Sequence, residues 1–334
     1  MEEQEPQQTG SQPMPEGLLY HYTDQRGLLG ILKEKCIWAT HIRYLNDTSE
    51  GQIFTKLLQN ELSQRPPTGT EEPPSQLTMY AQLLALRFEQ PGSKTRFPEN
   101  EVISLGSSAF SWIIAQDTFV TSFSEQGNLL SQWRAYSGET GGYSIGFTRQ
   151  YLKSVGVHFL RSRSDSFYDD KNPLVACRYC DKPEEESLKR EIVQIVDSYI
   201  AEADQANWQT IPDIKERFTR LGAIAKRHFF PSGKRRAITK DQAFREEAEW
   251  RLIFQLERVG TTNSEPEFRP GRSMITPYLK VPLKWEGQSI EFKEIVVGPC
   301  PHPDQALNSV QMLLKRQGVQ GVEVIPSKIP YRNW

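Results

Sequence analysis

The sequence predicts an α+β fold with mainly antiparallel pairing. Short runs of alternating or β-branched residues are interleaved with helical runs at irregular intervals, which differs from the steady strand–helix alternation of a doubly wound sheet. The chain is 334 residues long and 37% hydrophobic, so it has ample apolar surface to close a core without disulfide or metal staples.

The opening segment, 1–17, is polar and acidic and reads as a disordered lead-in rather than a signal peptide. A single α+β domain is expected over 18–334. "LLYHYTD" predicts a first strand, and the apolar spacing of Leu28, Leu29, Ile31 and Leu32 predicts a short helix. "CIWATH" resumes an extended pattern. Asp47 followed by Glu50 has the spacing of a reciprocal N-cap, opening a helix to Leu62 whose buried stripe is Ile53, Phe54, Leu57, Leu58 and Leu62.

"SQRPPTGTEEPPSQ" is a loop, "QLTMYAQLLALRFEQ" a further amphipathic helix, and another helix is expected through Trp112. "DTFVTSFS" then predicts a buried strand, followed by a helix to about Tyr136, a glycine turn, and a strand from Tyr143 to Phe147. "PLVACRY" reads as one plain strand. The heavily charged run at about 182–230 predicts a helical insertion of one or two helices. "SGKRRAITK" reads as a solvated loop, "FREEAEWRLIFQL" runs into a strand, and "ITPYLKVPL" and "SIEFKEIVVGP" supply later strands before a helix at "DQALNSVQMLLKRQG" and a closing strand.

Composition excludes several classes. Apolar runs are too short to cross a bilayer, so no membrane partner is expected. Four cysteines, with one C-x-x-C and no second Cys/His pair nearby, point to a reducing, cytoplasmic setting rather than zinc, and no metal is expected. A net charge of −2 gives no global attraction to nucleic acid. No nucleotide-binding or hydrolase fingerprint is present.

What stands out is a set of residues on four elements. His21 and Thr23, two apart, share one face of the first strand. Ser122-Phe123-Ser124 end a buried strand, where turn chemistry also accounts for the serines. Trp133 and Tyr136 are spaced i to i+3, which suits core packing as well as it suits a ligand clamp. Glu247 and Glu249 are read as two carboxylates on one strand face, matched by Arg251 or Lys240 if they are only structural.

Two resemblances give these residues a meaning. "YHYTDQRGLLGIL", "YLNDTSE", "SFSEQGNLLSQWRAYSGETGGYSIGF", "FREEAEWRL" and "IPSKIPYR" resemble the landmarks of a bacterial family of unknown function, domain of unknown function 2971, from Leu19 onward. More distantly, the order of His-x-Thr strand, short helix, aromatic strand, Ser/Tyr helix and glutamate-opened strand is similar to the ADP-ribosyltransferase fold of poly-ADP-ribose polymerase relatives. That resemblance implies a split, mainly antiparallel sheet with helical insertions.

It also implies NAD as substrate, with Glu249 meeting a ribose hydroxyl and the developing positive charge, and Glu247 as a second acid orienting an acceptor. His21 and Thr23 would hold the adenosine-side ribose, and Tyr22, Ser122 and Arg251 would complete the pocket. The tyrosine that stacks on nicotinamide in polymerase-type enzymes falls near Ser122 or Phe123, so stacking would pass to Phe123, Trp133 or Tyr136. The function so implied is a cytosolic NAD-dependent mono-ADP-ribosyltransferase or NAD glycohydrolase, a phage-defence or toxin effector with a protein or nucleic-acid acceptor. The alternative from another class is a non-catalytic nucleotide or nucleic-acid binding protein or sensor. A metal-dependent nuclease built on Asp47, Glu50, Glu247 and Glu249 has weaker support, because those carboxylates lack a recognisable spacing.

Overall fold

The computed structural model describes residues 17–45, 51–64, 117–138, 141–163, 172–206, 210, 214–256, 265–271 and 273–331. All but the last residue of the expected lead-in over 1–17, the Asp47 and Glu50 cap and the two helices expected between 65 and 116 lie outside these residues.

The chain opens with β1 (Leu18–Asp24), α1 (Gln25–Glu34) and β2 (Cys36–His41). Asp24 starts α1, because its carboxylate accepts the Gly27 amide at 2.7 Å. Gly27 makes room for Thr23 there: a Cβ would fall 1.8 Å from Thr23 Oγ1, which would have to shift. Next come α2 (Gln52–Gln64), β3 (Asp117–Ser124), α3 (Leu130–Tyr136), β4 (Gly142–Thr148) and α4 (Arg149–Arg161). The remainder is β5 (Leu174–Ala176), β6 (Arg178–Cys180), α5 (Lys182–Gln205), α6 (Ile214–Phe229), α7 (Ser232–Ile238), β7 (Thr239–Asp241), β8 (Glu249–Leu256), β9 (Glu267–Pro270), β10 (Ile275–Pro282), β11 (Glu294–Val297), α8 (Pro303–Arg316) and β12 (Glu323–Pro326).

Ten strands form one sheet, running β12-β11-β4-β1-β3-β2-β10-β9, with β8 paired to β3 and β5 to β8. Every pairing in it is antiparallel except β11 with β12. Strand β3 is the pivot. One edge pairs with β8 along its whole length, from Asp117↔Leu256 to Ser124↔Glu249. The other edge is divided: Phe119 and Val120 pair with β2, and Ser124 alone pairs with β1. The sheet is therefore split between β1 and β2, and α1 joins the two strands that diverge.

Alternation along the strands separates two faces. Leu19, Phe119, Phe123, Ile145, Leu252, Phe254 and Leu279 point to an inner face, where α1, α4 and α8 bury them in the main core. The outer face carries two smaller clusters. Val120 and Ile253 pack with Ala237 and Ile238 of α7, while Tyr22 and Val296 pack with Trp133 of α3. Helices α2, α5 and α6 close a further apolar cluster of their own around Phe54, Leu188, Ile192 and Ile224.

Three sequence expectations change. "PLVACRY" is two strands rather than one: β5 pairs with β8, and β6 leaves the main sheet to pair in parallel with β7. "SGKRRAITK" is helix α7 followed by β7, with Lys240 buried rather than solvated. Glu247 does not share a strand face with Glu249, because it ends a 3-10 turn over Gln242–Glu247 and is separated by Ala248 at φ 42.

Leu252 is fully buried on the inner face between β3 and α4. Leu252→Ala is expected to lower the unfolding free energy by about 2–5 kcal/mol, read as an earlier urea midpoint at unchanged slope.

Candidate functional site

The split leaves a short length of one edge of β3 without a strand neighbour among the described residues, and side chains bridge part of the gap. The His21 ring approaches from β1, with Nδ1 3.0 Å from the Ser122 carbonyl oxygen. Toward the other wall, the Thr121 hydroxyl of β3 donates to the Trp38 carbonyl of β2 at 3.1 Å. Ser122 itself is half-buried on the outer face, and its hydroxyl has no partner among the described residues. Helix α7 covers the outer face toward β8 and α3 covers it toward β11, so the floor at Ser122 lies between their two apolar clusters.

Beside this floor, on the far edge of β3, sits an ion cluster. Glu249 is buried, with Oε1 2.7 Å from Arg251 Nε and Oε2 2.7 Å from Lys240 Nζ. Lys240 also reaches Glu247 Oε2 at 2.7 Å, and Arg251 Nη1 donates to the Ala237 carbonyl at 2.5 Å. The Glu249 amide donates to the Tyr179 hydroxyl at 2.6 Å. Burial opposes the charge on Glu249, yet Arg251 and Lys240 together outweigh it and hold the carboxyl down at about 2. For Lys240, burial is again the largest influence and opposes the charge, while Glu249 and Glu247 reverse it and raise the pKa. Glu247 is the more accessible acid, with 23% of its side chain exposed against 7% for Glu249.

The anticipated site residues do not converge on one pocket. His21 and Thr23 point with Leu19 to the inner face, where the His21 ring lies 5.8 Å from Phe123. Glu249 and Arg251 stand opposite Ser124 and Ser122 on the outer face. Alternation thus places His21 and Glu249 on opposite sides of the sheet. Burial lowers the His21 pKa, against the opposing bond to Ser122, so the ring is a neutral bridge across the split at ordinary pH.

Stacking is also corrected. Trp133 is 1% exposed and serves the core, edge-on to Tyr22 at 4.7 Å and donating its indole N–H to Asn128 at 2.9 Å. Phe123 and Tyr22 are buried as well, and the Tyr22 hydroxyl is fixed between the Gln126 carbonyl and the Leu129 amide. Tyr136, one turn beyond Trp133, is 40% exposed, so the two rings do not form a clamp. Ser122 alone of the anticipated set stands on the outer face at the split with a hydroxyl that has no partner among the described residues.

Residues that sequence reasoning passed over are Trp38, Thr40 and Arg269 on the outer face beyond β2, and Tyr179 beneath Glu249. The signal for Trp38 was present: in "CIWATH" it alternates with Ile37 and Ala39, both fully buried, which turns it to the opposite face. No equivalent signal marks Arg269, whose role depends on strands far apart in sequence. Among the described residues there is no group of three or more His, Cys, Asp or Glu that could hold a metal, and no helix long and apolar enough to cross a membrane.

The ion cluster sets two expectations. Glu249→Gln removes the buried acid that Lys240 and Arg251 share and is expected to cost about 3–5 kcal/mol of stability, against less than about 1 kcal/mol for Glu247→Gln at the rim. Because the folded-state pKa of Glu249 lies near 2, below its ordinary 4.5, its contribution is complete above about 4.5 and is lost as pH falls through 2. Acid unfolding curves should therefore show a step in that window that is absent from Glu249→Gln.

No curated protein and no solved structure matches the chain. Residues 132–252 match the family model described as Protein of unknown function (DUF2971), a span that runs from α3 to β8 and holds the Lys240–Glu249–Arg251 cluster, while His21 and the closing segment lie outside it.

Proposed function

We propose that the protein binds a nucleotide at the sheet split, with NAD the first candidate, and that it does so without turnover. The observation that carries this reading is the divided edge of β3. Among the described residues, β1 from His21 onward has no strand partner on that side, and neither does this edge of β3 from Thr121 to Phe123. An open strand edge offers alternating N–H and C=O groups, which complement the donor and acceptor pairs of a base edge or a carboxamide. The hydroxyl of Ser122, which has no partner among the described residues, adds a further polar contact at the floor.

Support for binding over chemistry comes from the acids. Both oxygens of Glu249 are engaged by cations, so its charge is compensated where it stands and gives little stabilisation to an oxocarbenium-like state. The separation of His21 from Glu249 by the sheet supports the same reading, since the transferase resemblance relies on a pocket shared by the two.

One observation favours a second reading, mono-ADP-ribosyl transfer or NAD hydrolysis. Glu247 is ion-paired to Lys240 at the rim and part-exposed, so a positioned carboxylate is available to a ribose there. In that reading, a nucleophile from an acceptor or water attacks the ribose C1′ as the bond to nicotinamide breaks, and nicotinamide departs with the bonding electron pair. The acceptor would be a protein or nucleic acid in the cytoplasm, and the protein an effector of defence or toxicity.

A titration of the full chain with NAD, alongside chromatographic assay of nicotinamide, separates the two. Saturable binding without nicotinamide release is expected, and Ser122→Leu, which fills the floor, should weaken NAD by at least about tenfold while Ser122→Ala does not. Steady nicotinamide release that Glu247→Gln abolishes at unchanged thermal stability replaces the binding reading with the enzymatic one. No binding of NAD by the wild type rejects the split as its site.

A further inference from the structure

The outer face beyond β2 holds a guanidinium with no counter-charge among the described residues. Arg269 on β9 stands opposite Thr276 of β10, and its side chain reaches across β10 to β2. There it lies over the Trp38 ring, 5.4 Å from the centroid, and its Nη2 donates to Thr40 Oγ1 at 3.2 Å. Trp38 is backed in turn by Tyr278, with ring centroids 4.6 Å apart. One aromatic ring, itself backed by a second, and a hydroxyl therefore fix the orientation of the arginine.

No described carboxylate pairs with it. The acid two residues before it on the same face, Glu267, is taken by Lys280 at 3.0 Å and by the Tyr278 hydroxyl at 2.9 Å. Arg269 Nε is buried with no hydrogen-bond partner. Burial also pulls the Arg269 pKa below its ordinary value, against a smaller opposing effect from Tyr278, as befits a cation that lacks an anion. An oriented, half-buried and uncompensated guanidinium is suited to a phosphate, whose oxygens match its planar array of donors.

Its position connects it to the split. Trp38 is the residue whose carbonyl accepts from Thr121 across the gap, and Thr40 is paired with Val120 of β3, two residues before Ser122. We propose that Arg269, held by Trp38 and Thr40, is the phosphate-binding residue for a nucleoside diphosphate group whose remaining part lies in the split. This rests on the nucleotide-binding reading of the split and adds to it the group that recognises phosphate. The sequence in between, with Arg269 more than two hundred residues after Trp38, explains why no linear motif announces the site.

The experiment compares adenosine, ADP and inorganic pyrophosphate as ligands of the full chain by calorimetry, in wild type, Arg269→Gln and Ser122→Leu, with thermal melts as a check on folding. ADP is expected to bind wild type at least about tenfold more tightly than adenosine. Arg269→Gln should remove that advantage while leaving adenosine unchanged and the melting temperature within a few degrees. Arg269→Lys should recover only part of it, because a point charge does not replace the planar fork. Equal binding of ADP by wild type and Arg269→Gln overturns the assignment even where Ser122→Leu still weakens ADP, which leaves the split intact as a site. Binding of none of the three ligands by wild type rejects both. Preferential binding of a single-stranded oligonucleotide, falling steeply with salt, overturns the free nucleotide in favour of a polymeric ligand.

Discussion

The outer edge of one strand decides the shape of this molecule. A strand edge can satisfy one neighbour along any given length, and β3 gives that edge to two: β2 holds Phe119 and Val120, and β1 holds Ser124. Neither can run further without displacing the other, so β1 and β2 diverge. Their open groups must then be met by side chains, solvent or a ligand. The His21 ring and the Thr121 hydroxyl meet two of them. The proposed nucleotide site in the split rests on those that no described residue meets.

The second constraint is the cost of burying charge. Glu249, Arg251 and Lys240 each lose hydration on the outer face, and they are tolerable there because each is within hydrogen-bond reach of an opposite charge. Glu247 is brought into the set by a turn rather than by strand geometry. Ala248 adopts a left-handed conformation that an alanine accepts only under constraint, and the Ser124 hydroxyl bond to the Glu247 carbonyl and the Glu125 amide bond to the Ala248 carbonyl hold it there. The same turn leaves Glu247 at the rim while Glu249 is closed off, so two acids close together in sequence have different environments.

Coverage of the outer face by two separate helices gives the candidate site its location. Helix α7 and the Trp133 side of α3 each bury a small apolar cluster and leave the region of Ser122, Trp38 and Thr40 between them and beyond them more polar. Trp133 illustrates how an aromatic pair at helical spacing divides its duties. Its ring and N–H are both satisfied internally, whereas Tyr136 points outward.

The sequence by itself determined the α+β class and most of the strands, because alternation and helical spacing are local consequences of backbone geometry: Ile37 and Ala39 inside with Trp38 outside, or Leu252 and Phe254 inside on β8. It also indicated that His21 and Thr23 share a face and that Lys240 or Arg251 matches the acids, since period and charge are readable from neighbours in the chain. Only the tertiary structure decided which face each strand presents to the core, and therefore that His21 and Glu249 look away from each other. Face depends on register between strands more than a hundred residues apart, and shifting that register by a single residue reverses every side chain. The guanidinium of Arg269 over Trp38 belongs to the same category, because its surroundings exist only after β9, β10 and β2 have paired.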